Sequence, residues 1–406
     1  MNTVRSIRAV DLFCGAGGLS LGLIRSSIVP VLAIDCFEPA VKTYKLNIGN
    51  HVRLGTIDES TQIPTCDLIV GGPPCQGFSS AGQRRKGDSR NSLVSVFASI
   101  VAANRPKAFV FENVEGFLTT EDGRRVIDLL KPLVEVGYRI HLRKINAANF
   151  GVPQHRKRVI AIGGLGWDPS FPAVTHFAYG APGAQLAGRG LPTAPTVADA
   201  FLGLPKAVSN GDEPTVSDHR YRPLSDQDRQ RSELLEQGQR MRDLPQEHQH
   251  DSYKRRANRR VLDGTPTERR GGAPAGVRRL KSNEPAKAVT SGARTDFLHP
   301  TEHRNLTIRE CARLQTFPDE FGFLGSLSDK AVLIGNAVPP LLGECIGRQL
   351  CDGSVDATPQ YGEGALLSFV PTMSDGMSPA LRRTVDLVER TFANQDIGER
   401  QLELWP

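Results

Sequence analysis

Short apolar runs alternate with longer mixed segments over residues 7–160 of this 406-residue chain. The runs are rich in Val, Ile and Phe, as β-strands usually are, and they occupy residues 9–13, 29–34, 67–70, 108–111, 140–145 and 158–162. Between them, residues 39–47 and 92–103 have the length and composition of helices. This alternation predicts βαβ units, and therefore an α/β fold with a doubly wound, mostly parallel sheet.

The pattern changes after residue 165, where loops rich in Pro, Gly and Ala lead into an Arg-rich stretch. We therefore predict a large first domain over 1–165 and a smaller, loop-rich second domain over 166–300. A helical pattern returns at 307–314 with Thr307 as its cap, and another helix follows Pro340. Residues 301–350 are thus expected to return to the first domain. Residues 351–406 form an extension of unassigned role, with an amphipathic helix predicted at 379–392.

Composition is typical of a soluble globular protein, with 39% hydrophobic and 23% charged residues. No apolar run is long enough to span a bilayer, and the N-terminus lacks the apolar core of a secretory signal. The seven cysteines include no C-x-x-C pair and no His/Cys cluster at zinc spacing. We expect a reducing, cytoplasmic location, no structural metal and no membrane association.

Positive charge is concentrated in one part of the chain. Residues 220–281 contain 16 Lys and Arg against 9 Asp and Glu, whereas the whole chain carries a net charge of +6. A basic segment within an otherwise balanced protein is typical of a nucleic-acid-binding surface, although a solvated face would have the same composition.

The candidate nucleophile is Cys75, which lies in the loop Gly71-Gly72-Pro73-Pro74-Cys75-Gln76-Gly77-Phe78-Ser79 after an apolar run. In a parallel sheet this position is the carboxyl end of a strand, where open α/β folds bind ligands. A cysteine in a turn is often only a small apolar residue. Two adjacent prolines restrict the backbone before the thiol, which favours the reactive alternative.

A glycine-rich turn, Gly15-Ala16-Gly17-Gly18, follows the first predicted strand, and Asp35 ends the second. The turn does not satisfy G-x-G-x-x-G, because Ser20 occupies the last position. Taken alone it fits either a ligand-binding loop or a structural tight turn.

Two further polar groups follow strands. Glu112 ends the apolar run 108–111, where it could cap a turn or act as an acid. Arg156 and Arg158 are two residues apart in an extended segment, so they are expected on one side of it.

Together these motifs closely resemble those of the DNA cytosine-5 methyltransferases, in particular the prokaryotic restriction–modification type. The matches extend to Asn149-Phe150-Gly151-Val152-Pro153 before the arginines, to residues 309–318, and to Gly335-Asn336-Ala337-Val338-Pro339-Pro340. The resemblance implies a Rossmann-like, S-adenosylmethionine-dependent catalytic domain and a target-recognition domain over 166–300. Cys75 would add to C6 of a flipped cytosine, Glu112 would protonate N3, Arg158 would hold the base carbonyl and orient Cys75, and Arg156 would support this site.

The resemblance also assigns the cofactor pocket. The implied S-adenosylmethionine residues are Phe13, Gly15, Gly17, Gly18, Leu19, Asp35, Cys36, Ile57, Pro74, Asn336 and Val338. Asp35 would bind the ribose hydroxyls where the family usually has Glu, and Cys36 or Phe37 stands where an aromatic residue often stacks on adenine. The family's Gly-Asp-Ile reads Gly55-Thr56-Ile57 here, so either Thr56 or Asp58 would meet the adenine amino group.

Double-stranded DNA is the expected partner, with no obligate protein partner and a cognate restriction endonuclease as the one candidate. Residues 79–93 are predicted to close as a lid over the DNA. The predicted DNA contacts are Gln76, Ser79, Arg90, Arg255, Arg256, Arg259 and Arg260. Two alternatives stay open: an RNA cytosine-5 methyltransferase, which shares the Pro-Pro-Cys loop, and an inactive DNA-binding protein. A nucleoid-associated location follows from the DNA substrate.

Overall fold

A computed structural model describes residues 6–74, 92–178, 190–209, 211–251, 253–254, 277–352, 362–372 and 376–393. The strands are β1 (Arg8–Leu12), β2 (Val29–Asp35), β3 (Val52–Leu54), β4 (Leu68–Gly71), β5 (Ala108–Val114), β6 (Tyr138–Asn146), β7 (Gln154–His155), β8 (Lys157–Leu165), β9 (Arg278–Arg279), β10 (Ala286–Lys287), β11 (Phe297–Leu298) and β12 (Ala365–Val370). The helices are α1 (Gly18–Arg25), α2 (Glu38–Asn47), α3 (Leu93–Asn104), α4 (Arg124–Glu135), α5 (Val197–Phe201), α6 (Asp226–Leu234), α7 (Ala293–Asp296), α8 (Ile308–Leu314), α9 (Leu327–Asn336), α10 (Pro340–Asp352) and α11 (Pro379–Thr391).

The chain divides into two compact units. The first comprises residues 1–151, 156–193 and 337–406, and the second comprises 152–155 and 194–336. The borders predicted at 166 and 301 do not coincide with this division, and the recognition role of the second domain stays a prediction.

The first unit is built on an eight-stranded sheet, in the order β12-β6-β8-β5-β4-β1-β2-β3 among the described residues. Every neighbouring pair is parallel except those of β8, which runs antiparallel to both β5 and β6. The predicted α/β class with a mostly parallel sheet is therefore confirmed. The predicted strands correspond to β1, β2, β4, β5, β6 and β8, with ends that differ by a few residues.

The main core of the first unit is aromatic at its centre. Phe109 and Phe111 of β5 pack with Phe97 of α3 and Tyr138 of β6, with ring centroids 5.1–6.4 Å apart. Such tilted and edge-on pairs stabilise beyond their buried area. This core fixes β5, the strand that ends in Glu112.

The C-terminal extension is part of the first unit. β12 adds a parallel edge strand to β6, and Leu366 on it is fully buried. α11, predicted as 379–392, covers the short 3₁₀ segment Glu115–Gly123, where the Thr384 hydroxyl donates to the Leu118 carbonyl at 2.7 Å. The extension thus adds to the core of the first unit, next to the 3₁₀ segment that follows Glu112.

The second unit has little regular structure among its described residues. Its strands form two short parallel pairs, β7 with β10 and β9 with β11. Helix α8 begins as predicted, because Thr307 and Glu310 form a reciprocal capping box. Buried Arg304 pairs with Glu310 at 2.7 Å and supports this helix.

Candidate active site

The centre of the site is an ion pair between Glu112 and Arg158. In the antiparallel register Glu112 lies opposite Ile160 and Val114 lies opposite Arg158, so the two charged residues are diagonal neighbours across the strands. Arg158 Nε lies 2.6 Å from Glu112 Oε1, and both side chains are buried. The antiparallel β8 therefore places the predicted acid and the predicted base-binding arginine in direct contact.

The loop that leads to Cys75 lies against this pair. The Asn113 side-chain amide donates to the Pro73 carbonyl at 2.9 Å. At Gly72 a Cβ atom would lie 2.9 Å from Glu112 Oε2, closer than real Cβ contacts allow. Gly72 and Asn113 therefore fix the start of the Pro-Pro-Cys loop beside Glu112, whereas Cys75 itself lies outside the described residues.

Arg156 has a different environment from Arg158. It precedes β8, it is only 1% exposed, and its Nη2 donates to the Ala337 carbonyl at 2.9 Å. Burial and then the Arg158 charge hold the pKa of Arg156 well below its usual range, while Glu112 opposes them. The two arginines were expected on one side of their segment, and Arg156 is near enough for the Arg158 charge to act on it. The Arg156 guanidinium is bonded to the motif Gly335–Pro340, which contains Ala337.

The glycine-rich turn has the backbone conformation that its sequence requires. Gly15 and Gly17 have φ of +56° and +90°, and Phe13 at φ +62° is a rarer non-glycine case. A Cβ atom on Gly17 would lie 2.3 Å from Ile48 and 2.8 Å from Tyr44. The turn therefore brings its backbone close to α2 and leads directly into α1.

Asp35 connects the turn to the end of β2. One carboxylate oxygen accepts the Gly15 N–H and the other accepts the Phe37 N–H, each at 2.8 Å. Burial raises the pKa of Asp35, and these hydrogen bonds oppose the shift. Because a carboxylate has about four acceptor positions, each oxygen keeps capacity for one ribose hydroxyl.

The adenine side of the predicted pocket has mixed exposure. Ile57 is buried, Phe37 is half-buried and Cys36 is exposed. Asp58 Oδ1 accepts from the Ser60 N–H at 2.9 Å and from the Ser60 hydroxyl at 2.7 Å, and these bonds lower the pKa of Asp58. Asp58 is thus engaged in its own turn, whereas Thr56 is exposed.

The remaining predicted cofactor residues lie at separate positions. Gly18 and Leu19 are buried in the first turn of α1, and Leu19 packs against Gly343 of α10. Pro74 is exposed, Val338 is half-buried, and exposed Asn336 ends α9 in the second unit.

A buried polar chain under the turn was missed by the sequence patterns. The Ser20 hydroxyl donates to Asp11 Oδ2 at 2.6 Å, and the Tyr44 hydroxyl lies 3.0 Å from both Ser20 Oγ and His51 Nε2. Burial is the largest cause that raises the pKa of Asp11 to about 7. The one sequence feature that could have indicated these buried hydrogen bonds is Asp11, a carboxylate inside the apolar run 9–13.

Several predicted residues lie outside the described part of the chain. They are Cys75, Gln76, Ser79, Arg90, Arg255, Arg256, Arg259 and Arg260. Within the described residues, no group of His, Cys, Asp and Glu could hold a metal ion, and no helix is long and apolar enough to cross a membrane.

Comparison with known proteins agrees with this arrangement. The family model described as C-5 cytosine-specific DNA methylase matches residues 7–352. The Type II methyltransferase M1.HphI of Haemophilus parahaemolyticus is 32% identical over 84% of this chain and 86% of its own length. M.NgoFVII of Neisseria gonorrhoeae is 33% identical over 82% of this chain and 83% of its own length.

A solved E. coli structure, described as a DNA modification methyltransferase encoded within a prophage, shares the fold. Its TM-score is 0.63 at 24% identity, over 86% of this chain and 99% of that one. Since the family match spans seven of the eight strands of the sheet, the Glu112–Arg158 pair and the glycine-rich turn, the chain belongs to the C-5 cytosine-specific DNA methylases and is a DNA cytosine-5 methyltransferase of the restriction–modification type.

Proposed function

We propose that the protein methylates C5 of a cytosine within a specific sequence of double-stranded DNA, through a transient bond between Cys75 and C6 of a flipped-out base. The observation that carries this proposal is the buried Glu112–Arg158 pair, with Gly72 and Pro73 packed beside it. These contacts hold the start of the loop that leads to Cys75 next to Glu112 and Arg158. In the proposed mechanism these two residues act on N3 and on the carbonyl of the cytosine.

In this mechanism the Cys75 thiolate adds to C6 and the ring electrons move toward C5. Glu112 donates a proton or a hydrogen bond to N3, which lowers the energy of the dearomatised ring. Arg158 binds the base carbonyl and orients Cys75. After C5 has taken the methyl group, a base removes the C5 proton, and the C6–S electron pair returns to Cys75.

S-adenosylmethionine fits the residues around the glycine-rich turn. Asp35 would hold the ribose hydroxyls, the turn would allow close backbone approach, and Ile57 would contact the adenine ring. Thr56 is a better candidate than Asp58 for the adenine amino group, because Asp58 is bonded to Ser60. When bound, this cofactor supplies an electrophilic methyl group.

The target cytosine must leave the base stack for Cys75 to reach C6, because the ring faces are covered in a duplex. We propose the second unit as the part that recognises the target sequence, and a cognate restriction endonuclease as the functional counterpart. The recognition role rests on the basic composition of residues 220–281. The endonuclease counterpart rests on the similarity to Type II methyltransferases.

The decisive experiment measures transfer of labelled methyl from S-adenosylmethionine to duplex DNA, followed by bisulfite sequencing of DNA from cells that express the protein. The wild-type protein should transfer label to DNA, and bisulfite sequencing should show cytosines that resist conversion within one recurring sequence. Cys75→Ser should abolish transfer, because an alcohol is a far weaker nucleophile than a thiolate.

A matched control is Cys351→Ser, since its hydroxyl can still donate to the Ser26 carbonyl that Cys351 Sγ contacts at 3.3 Å. This variant should transfer methyl groups normally. Full activity of Cys75→Ser would contradict the mechanism. Transfer to RNA rather than DNA, or to no nucleic acid, would favour one of the two alternative functions.

A further inference from the structure

A basic cavity lies within the second unit, and its lining residues are different from those first predicted to bind DNA. It has a volume of about 410 Å³. Its charged lining comprises Arg240, Arg242, Arg278, Arg279, Lys281 and Lys287, with Asp243 and Glu284 as the acids. The cavity therefore gathers more positive than negative charge on a concave surface.

The local backbone explains why these cations converge. Residues 238–241 pair with 277–279, where Met241 N–H donates to the Val277 carbonyl at 2.8 Å and Arg240 bridges Arg278. Arg279 also lines the cavity, but its guanidinium is taken up by hydrogen bonds to the Leu235, Ser232, His299 and Glu302 carbonyls. The anchored Arg279 therefore leaves Arg278 to the cavity.

The two acids of the cavity already have partners. Asp243 Oδ1 lies 3.3 Å from Arg242, and Glu284 Oε1 lies 2.6 Å from Lys281. Neither Arg278 nor Lys287 has an ion pair or a side-chain hydrogen bond with any residue that the structure describes. These two cations therefore lack the ion pairs that Arg242 and Lys281 have.

Burial and neighbouring positive charges both disfavour the charged forms of Arg278 and Lys287. Burial and then the charges of Arg240 and Arg242 lower the pKa of Arg278, with Asp243 opposing them. Burial and then Arg278, ahead of Glu284, lower the pKa of Lys287. Like charges held together without a counter-ion destabilise a protein, and an anion placed between them removes that cost.

We propose that Arg278 and Lys287, with Arg240 beside them, bind a phosphate group of the DNA backbone. The inference rests on the proposed DNA substrate and deepens it. It assigns these residues to positioning the duplex rather than to reading bases, because convergent positive charge complements a phosphate and carries no sequence information.

The test compares two double variants that each remove one Arg and one Lys. Arg278→Gln with Lys287→Gln alters the cavity, and Lys45→Gln with Arg53→Gln alters two exposed positions of the first unit, outside both the cavity and the basic segment 220–281. Thermal unfolding confirms that both are folded. Affinity for target and non-target duplexes is measured over a range of salt concentrations, and methyl transfer is measured at saturating DNA and low salt.

We expect the cavity variant to bind both duplexes about 10- to 100-fold more weakly. The slope of log affinity against log salt should fall by about 0.9 for each lost phosphate contact. The control variant should match the wild type, and the maximal methylation rate of both should be kept.

An unchanged salt slope, or an equal loss in the control, would overturn the assignment. A loss confined to the target duplex would also overturn it, since that result indicates base reading. Each outcome is distinct from failure of the proposed function, because that failure is an absence of methyl transfer by the wild type itself.

Discussion

Glu112 and Arg158 are joined across an antiparallel strand pair, with Arg158 Nε 2.6 Å from Glu112 Oε1. Removing one member of a buried ion pair leaves the other charge without compensation. The pair therefore serves as a structural connection between β5 and β8, and it holds the proposed acid next to the proposed base-binding cation.

Glu112→Gln tests the acid role. The amide keeps the shape of the side chain but cannot supply a proton to N3, so single-turnover methyl transfer should slow by about 10²- to 10⁴-fold. The matched control is Glu115→Gln, three residues further on, where the carboxylate pairs with Lys144 and, at 4.0 Å, with Lys157. An equal loss in both variants would indicate general damage to this segment rather than a role in chemistry.

Gly72→Ala tests the close contact beside Glu112. The new methyl group would start 2.9 Å from Glu112 Oε2, and Arg158 prevents that carboxylate from moving freely. The displaced loop should lower the maximal rate about 10- to 100-fold. Gly116→Ala is the control, because a Cβ atom there meets nothing within 4 Å. Normal turnover by Gly72→Ala would show that the loop adapts without loss.

Much of the first unit could be predicted from hydrophobic alternation, because buried parallel strands are short apolar runs with polar residues at their ends. The direction of β8 could not, since an apolar run has the same appearance in either orientation. The family resemblance assigned Glu112 and Arg158 to the same site but did not predict their direct contact, whose geometry follows from the antiparallel register.

Other contacts were beyond sequence patterns because they join distant segments through the backbone. Arg156 donates to the Ala337 carbonyl, and any residue could supply that acceptor. Strand β12 was not predicted either, although its segment is apolar. Its partner β6 lies more than 200 residues away in the sequence, and no local pattern indicates that pairing. In the second unit, short strands and long loops give too little periodicity for prediction.

Leu366→Ala tests whether the C-terminal extension belongs to the catalytic unit. Leu366 lies beyond the family match at 7–352 but is fully buried on β12. Its truncation should lower the free energy of unfolding by about 2–5 kcal/mol, measured by denaturant titration. Leu46→Ala, at a position with 57% exposure, should change it by no more than about 0.5 kcal/mol. A neutral Leu366→Ala would show that β12 is not needed for stability.

Asp11 should make the stability of the protein depend on pH. Its pKa is raised from 3.8 to about 7, first by burial and then by the Asp35 charge, against the Ser20 hydrogen bond. Between these values the native state holds a proton that the unfolded state releases. The free energy of unfolding is therefore highest below pH 4 as far as this group is concerned, and it falls as the pH rises through 7.

Asp11→Asn removes that titration and keeps an acceptor for the Ser20 hydroxyl. Measured at pH 5 and pH 8 by denaturant unfolding, the variant should gain stability over the wild type at the higher pH, by an amount on the order of 2–4 kcal/mol. Asp58→Asn is the control, because the pKa of exposed Asp58 is lowered and its titration is complete below this window. If the free energies of unfolding of the wild type and of Asp11→Asn depend on pH in the same way, Asp11 stays ionised in the folded protein in spite of its burial beneath the glycine-rich turn.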